Sequence, residues 1–87
     1  MKHIHIQKFR VDTQDWTSKW VHSQIICVVG KWLTDEEMEE LYKQRIDSTV
    51  AVRCTYDGGH ELPVPDGASE YDVYKKWLPA HMVVIRV

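Results

Sequence analysis

Two histidines at alternate positions, His3 and His5, are the first residues with chemical potential. On an extended strand both imidazoles leave the same face about 7 Å apart, which lets them share a metal ion. A metal site needs a third ligand. His22, His60, His81 or a carboxylate would have to supply it through folding, because no second closely spaced ligand pair exists. The bland reading is a pair of exposed or hydrogen-bonded histidines, and no metal or other cofactor is expected.

Cys54, Asp57 and His60 surround Gly58-Gly59 and resemble a thiol nucleophile, its base and an orienting acid. Alternation opposes that reading. Cys54 falls in the apolar set with Val50 and Val52, whereas a reactive thiolate needs exposure and positive neighbours. His60 and Glu61 are adjacent, so on a strand they point to opposite faces. Gly58-Gly59 lacks the helix and lysine of a phosphate loop. The chain is therefore expected not to be an enzyme.

The four tryptophans carry more information than these polar clusters. Trp16 and Trp20 sit in a polar connection and share a side whether that segment forms a helical turn or a strand. They are read as anchors for a partner protein, against the alternative that the loop folds back to cover one end of the sheet. Trp77 is expected in the core, and Trp32 beside the acidic helix. That helix offers Asp35, Glu36, Glu39 and Glu40 as an outward acid row, a second candidate for partner binding; a merely solvated face is the alternative.

Positioning these residues requires a small α+β domain. The chain has 87 residues, 44% hydrophobic and 28% charged, with a formal net charge of −2. Those values fit one globular domain over residues 1–87 and exclude a disordered tail. They also give no field to recruit nucleic acid, so nucleic acid is not an expected partner. Cys27 and Cys54 both lie in apolar runs and read as buried free thiols; a disulfide would need their strands to pair in register. With no signal peptide, cysteine framework or apolar run long enough to span a bilayer, a cytoplasmic location is expected, away from membranes.

His3–Val11 reads as a strand whose phase changes. Ile4 and Ile6 share one face while Phe9 and Val11 share the other, requiring a bulge near Gln7-Lys8 or burial on both sides. Gln24–Val29 is a continuous apolar run, the mark of a central strand. Thr34 and Glu37 form a capping box, Leu33 and Met38 a staple, and Met38, Leu41 and Tyr42 the inner stripe of a helix ending near Arg45. Ser48–Tyr56 alternates, Asp57-Gly58-Gly59 is expected to turn it, and the return strand 60–64 belongs at an edge because of Pro63. Ser69 caps a second helix, Glu70–Trp77, with an Asp72–Lys76 pair and a stop at Pro79; residues 80–87 close the chain as a strand.

From Ile25 onward this order matches the split βαβ arrangement of ferredoxin-like domains, with an N-terminal strand added. The expected fold is a four- or five-stranded, mostly antiparallel sheet with two helices on one face and the strand order open. The leading functional expectation is a non-enzymatic protein-binding module of the kind represented by small phage or mobile-element inhibitors of host enzymes. A nucleic-acid-binding domain using the open sheet face and a small metal- or cysteine-dependent enzyme are the alternatives. A homodimer through a sheet edge is a further arrangement the pattern allows.

Overall fold

The computed structural model describes residues 2–46, 51–78 and 82–87. Along them run β1 (Lys2–Gln14), β2 (Trp20–Val29), α1 (Asp35–Ile46), β3 (Val52–Val64), α2 (Glu70–Tyr74) with a 3₁₀ turn (Lys75–Trp77), and β4 (Val83–Arg86). The sheet is mixed, four-stranded and ordered β3-β1-β2-β4. β1 is antiparallel to both β2 and β3, while β2 and β4 are parallel. The expected N-terminal addition is thus the interior strand on which the others assemble.

Side chains alternate along β1, but burial changes phase between Ile6 and Gln7, both of which are buried. Ile4 and Ile6 face a cluster containing Cys27, Val29, Leu62, Val64 and Tyr74 from α2. Phe9 and Val11 face the opposite cluster, with Ile26, Val28, Cys54 and Met38 and Tyr42 from α1. Each helix covers one face at one end of the sheet, so β1 is buried on both sides in turn. Of the two solutions the His3–Val11 pattern allowed, the strand itself uses two-sided burial.

β2 carries one bulge, where Val11 pairs with Gln24 and Asp12 with His22, leaving Ser23 as the extra residue; β3 carries another. Lys8 pairs with Gly58 and Phe9 with Tyr56, leaving Asp57 as the extra residue. Gly58, at φ 121°, adopts the left-handed geometry that such a bulge favours. The bulge shifts even-numbered residues from the α1 face (Val52, Cys54, Tyr56) to the α2 face (His60, Leu62, Val64). The expected hairpin at Asp57-Gly58-Gly59 is therefore one long strand, because β1 is long enough to pair with both halves.

The helices lie on opposite faces, not on one. β2, β3 and β4 all run in the same direction, so β2-α1-β3 and β3-α2-β4 are parallel crossovers that traverse the sheet in opposite directions. Crossovers of one hand must then place their helices on opposite sides. Pro63 is on an edge strand as expected, and β4 forms the other edge. Ferredoxin-like order does not survive the merging of 52–64 into one strand.

α1 begins as its sequence specifies. The Thr34 hydroxyl accepts from Glu37 N–H at 3.2 Å, and Thr34 N–H donates to the Glu37 carboxylate at 3.2 Å. Leu33 packs on the cluster that contains Met38. Ser69 caps α2 by accepting from Asp72 N–H at 3.1 Å. That helix is shorter than expected, since residues 75–77 tighten to a 3₁₀ turn, and Asp72 pairs with Lys75 at 3.0 Å instead of Lys76. The expected stop at Pro79, the strand residues 80–81 and residues 48–50 lie outside the described residues.

Gln7, only 3% exposed, joins sheet and helix. Its Nε2 donates to Leu33 O at 3.0 Å, and its Oε1 accepts from Leu33 N–H at 2.8 Å. Two short bonds hold the backbone immediately before the cap of α1. Replacing Gln7 by Ala removes both and strands a backbone donor and acceptor, so the variant should lose about 2–4 kcal/mol in denaturant unfolding. Gln7→Glu should also destabilise, because it keeps an acceptor but sets a carboxylate against the Leu33 carbonyl.

Candidate functional site

The residues expected to do chemistry are not assembled for it. His3 and His5 both lie on the α1 face of β1, with His3 exposed and His5 partly buried. His5 packs on Trp32 with tilted rings, centroids 4.8 Å apart, and among the described residues its buried Nδ1 has no hydrogen-bond partner. Among the described residues no group of three or more His, Cys, Asp and Glu forms a metal site. His60 lies across the sheet and His22 near the hairpin; His81 is outside the described residues.

Cys54 and His60 are separated by the bulge, which turns one to each face. Burial pushes the Cys54 thiol up to about 12, reinforced by the negative charges of Glu39, Asp35 and Asp12. At pH 7 that leaves a thiolate fraction of about 10⁻⁵. Cys27 is also free and buried, and burial raises its pKa against the opposing charge of Lys8. The cysteines lie on opposite faces of strands separated by β1, so they cannot pair.

Trp16 and Trp20 belong to different local structures. Asp15 organises a loop between β1 and β2: its Oδ1 accepts from Thr17 N–H at 2.8 Å, Thr17 Oγ1 at 2.6 Å and Lys19 N–H at 3.0 Å. Ser18 closes the loop at φ 64°. These side-chain bonds compete with a helical turn and replace it. They also hold the Asp15 carboxyl below its ordinary value, the Thr17 hydroxyl bond first among the causes. Trp16 is left 94% exposed at the tip. Trp20 opens β2 with its ring 4.2 Å from the Arg53 guanidinium.

The acid row divides into two pairs. Glu36 and Glu40 are exposed, whereas Asp35 and Glu39 are partly buried. Asp35 Oδ1 accepts from Tyr56 N–H at 3.1 Å, and Glu39 Oε1 accepts from Cys54 N–H at 3.1 Å. β3 has a strand neighbour on one side only, so these carboxylates, one helical turn apart, satisfy donors its ladder leaves free. Two of the four candidate binding residues thus also protect a sheet edge.

Trp77 and Trp32 are not core residues, being 46% and 42% exposed. Trp77 packs on His60 with tilted rings, centroids 4.6 Å apart, and borders a hollow of about 410 Å³ with Leu62, Pro63, Pro65 and Val73. Trp77 is not part of the core cluster beneath α2. Val73, Tyr74 and Leu78 pack there instead.

A cluster that sequence reasoning missed lies on the α2 face near the hairpin. Asp12, 5% exposed, is reached by Arg10 Nε at 3.1 Å, His22 Nδ1 at 3.4 Å and an Arg53 nitrogen at 3.6 Å. Burial raises the Asp12 pKa, but the Arg10 hydrogen bond and charge, the His22 bond and the Arg53 charge outweigh it, leaving the carboxyl below its ordinary value. The alternation of Arg10 with Asp12 was the available signal. It gained meaning only when β1 proved to lie between β2 and β3, which bring His22 and Arg53 to either side.

Comparison of the chain with protein-family models, curated proteins and solved structures found no match. The fold and surfaces therefore define its class: a small α+β domain with a clamped hairpin tip. No helix among the described residues is long and apolar enough to cross a membrane.

Two outcomes follow from this electrostatic arrangement. Neither cysteine should react with a disulfide reagent in the native protein at pH 8, and both should react on denaturation; prompt native labelling of Cys54 would contradict its burial. Because the folded Asp12 pKa lies below the ordinary 3.8, its contribution is present above that value and is lost as pH falls through the folded pKa. Asp12→Asn should therefore flatten the acid limb of a stability-against-pH curve below about pH 4.

Proposed function

We propose that this chain is a non-enzymatic protein-binding module that docks through its β1–β2 hairpin, with Trp16 as the anchor. The observation that carries the proposal is an indole 94% exposed on a loop clamped by Asp15. Exposure of a lone tryptophan to water is unfavourable, and the clamp already restrains the loop. Binding then requires little further ordering of that loop, which is how preorganised anchors gain affinity.

Trp20 flanks the anchor at the base of the loop. Glu36 and Glu40 supply free negative charge on α1, and Asp35 and Glu39 add to the same field while each commits one oxygen to β3. The Trp16 anchor and the α1 acids suit a partner with an apolar pocket and a basic rim, which leaves Trp20, on the opposite face beside Arg53, at its margin. An inhibitor docking on an enzyme of the same cell is the form we favour, and the two free buried thiols are compatible with a reducing cytoplasm.

The test is quantitative affinity capture from the native cell. Trp16→Ala should weaken binding of the captured protein by about 30-fold, a loss of about 2 kcal/mol, with an unchanged circular dichroism spectrum. Equal recovery by the variant would sink the proposal. Stoichiometric metal in tag-free protein would instead favour the metal-enzyme alternative.

A further inference from the structure

α2 covers only the end of its sheet face remote from the hairpin. Among the described residues no helix covers the other end, whose cross-strand rows are Thr55–Arg10–Ile25 and Arg53–Asp12–His22, followed by Trp20 opposite Gln14. We propose that this face binds single-stranded nucleic acid, with Arg10 and Arg53 meeting phosphates and the Arg53–Trp20 stack forming a platform for a base.

Exposure separates the charges. The Asp12 side chain is 7% exposed, whereas those of Arg10 and Arg53 are 56% and 52% exposed and His22 is 44%. The carboxylate lies beneath the cations and gathers them, so the outward surface is cationic although the chain has a net charge of −2. In the acid row of α1, Glu36 and Glu40 are exposed on the opposite side of the sheet, while Asp35 and Glu39 each commit an oxygen to an edge N–H of β3 at 3.1 Å.

The shape and aromatic content favour a single strand. Three adjacent strands give a surface about 10 Å wide, and the rows from Arg10 to Gln14 extend about 13 Å along it. A sheet of that size accepts about two or three unstacked bases, which a duplex keeps out of reach. Guanidinium planes and indoles stack on any base, so this surface selects for an open strand more than for a sequence. An acidic peptide could pair with the arginines but would leave the Arg53–Trp20 platform unused.

The experiment is fluorescence anisotropy with a labelled single-stranded oligodeoxythymidylate across a salt series. Two phosphate contacts predict a slope of log K against log salt of about −1.4, reduced by about 0.7 in either Arg10→Gln or Arg53→Gln. Trp20→Ala should weaken the complex at least tenfold, and duplex DNA should bind at least tenfold more weakly than the single strand. Absence of salt-dependent binding at low salt, or unchanged binding by a folded Arg10→Gln/Arg53→Gln double variant, overturns the proposal. Displacement by a polyglutamate peptide as readily as by unlabelled strand also overturns it, leaving a general anion surface. Trp16→Ala should leave strand binding unchanged, and the arginine variants should leave protein docking intact, so failure at one surface is distinguishable from failure at the other.

Discussion

The side-chain amide of Gln7 does for Leu33 what a neighbouring strand would do: it donates to the carbonyl and accepts from the amide of one residue. Without this pair the Leu33 N–H and carbonyl would lose their partners in a partly buried place. With it, Leu33 is fixed, Thr34 stands where it can cap, and α1 begins in register with Met38 over Phe9 and Val28. The carboxylates at the start of that helix then reach β3. A buried polar residue at the crossing point of an apolar strand thus sets the position of the helix and, through it, the protection of the sheet edge.

β1 is the reciprocal constraint. Its apolar residues change face midway, so no single layer can bury it, and both helices are needed at opposite ends. β3 must follow the same change beside it. Because its apolar residues occupy even positions throughout, it does so by inserting Asp57 at Gly58. Gly59 is also confined: a Cβ there would sit 2.7 Å from Ile6 O and 3.0 Å from the Trp32 ring. The two glycines that resemble a turn in sequence serve a bulge and a close approach.

Local rules were the legible ones. The Thr34–Glu37 box, the Ser69 cap, the edge position of Pro63, the central apolar strand and the buried thiol of Cys54 all follow from neighbours within a few residues. What was hidden depended on pairing across long separations. Asp57-Gly58-Gly59 has the composition of a hairpin, and only the length of β1 shows that the strand continues. Asp35 and Glu39 resemble solvated acids until an edge strand lies beside them. Asp12 has its Arg10 neighbour in sequence but acquires His22 and Arg53 only from the strand order. Trp16 was identifiable as a candidate anchor from its polar surroundings, while its separation from Trp20 required the loop geometry set by Asp15.

The alternating side chains of β1 give the cationic sheet face a mechanical neighbour. Arg10 and Asp12 interleave with Phe9 and Val11, which pack beneath α1, so backbone shared by the cationic surface also supports the helix core. A ligand that immobilises Arg10 and Arg53 restricts the same strands from behind. Occupancy of one side is thereby thermodynamically linked to order on the other: any ligand that prefers the folded face raises the free energy of unfolding the α1 half. In a sheet covered diagonally, each uncovered quadrant is a handle on the opposite core.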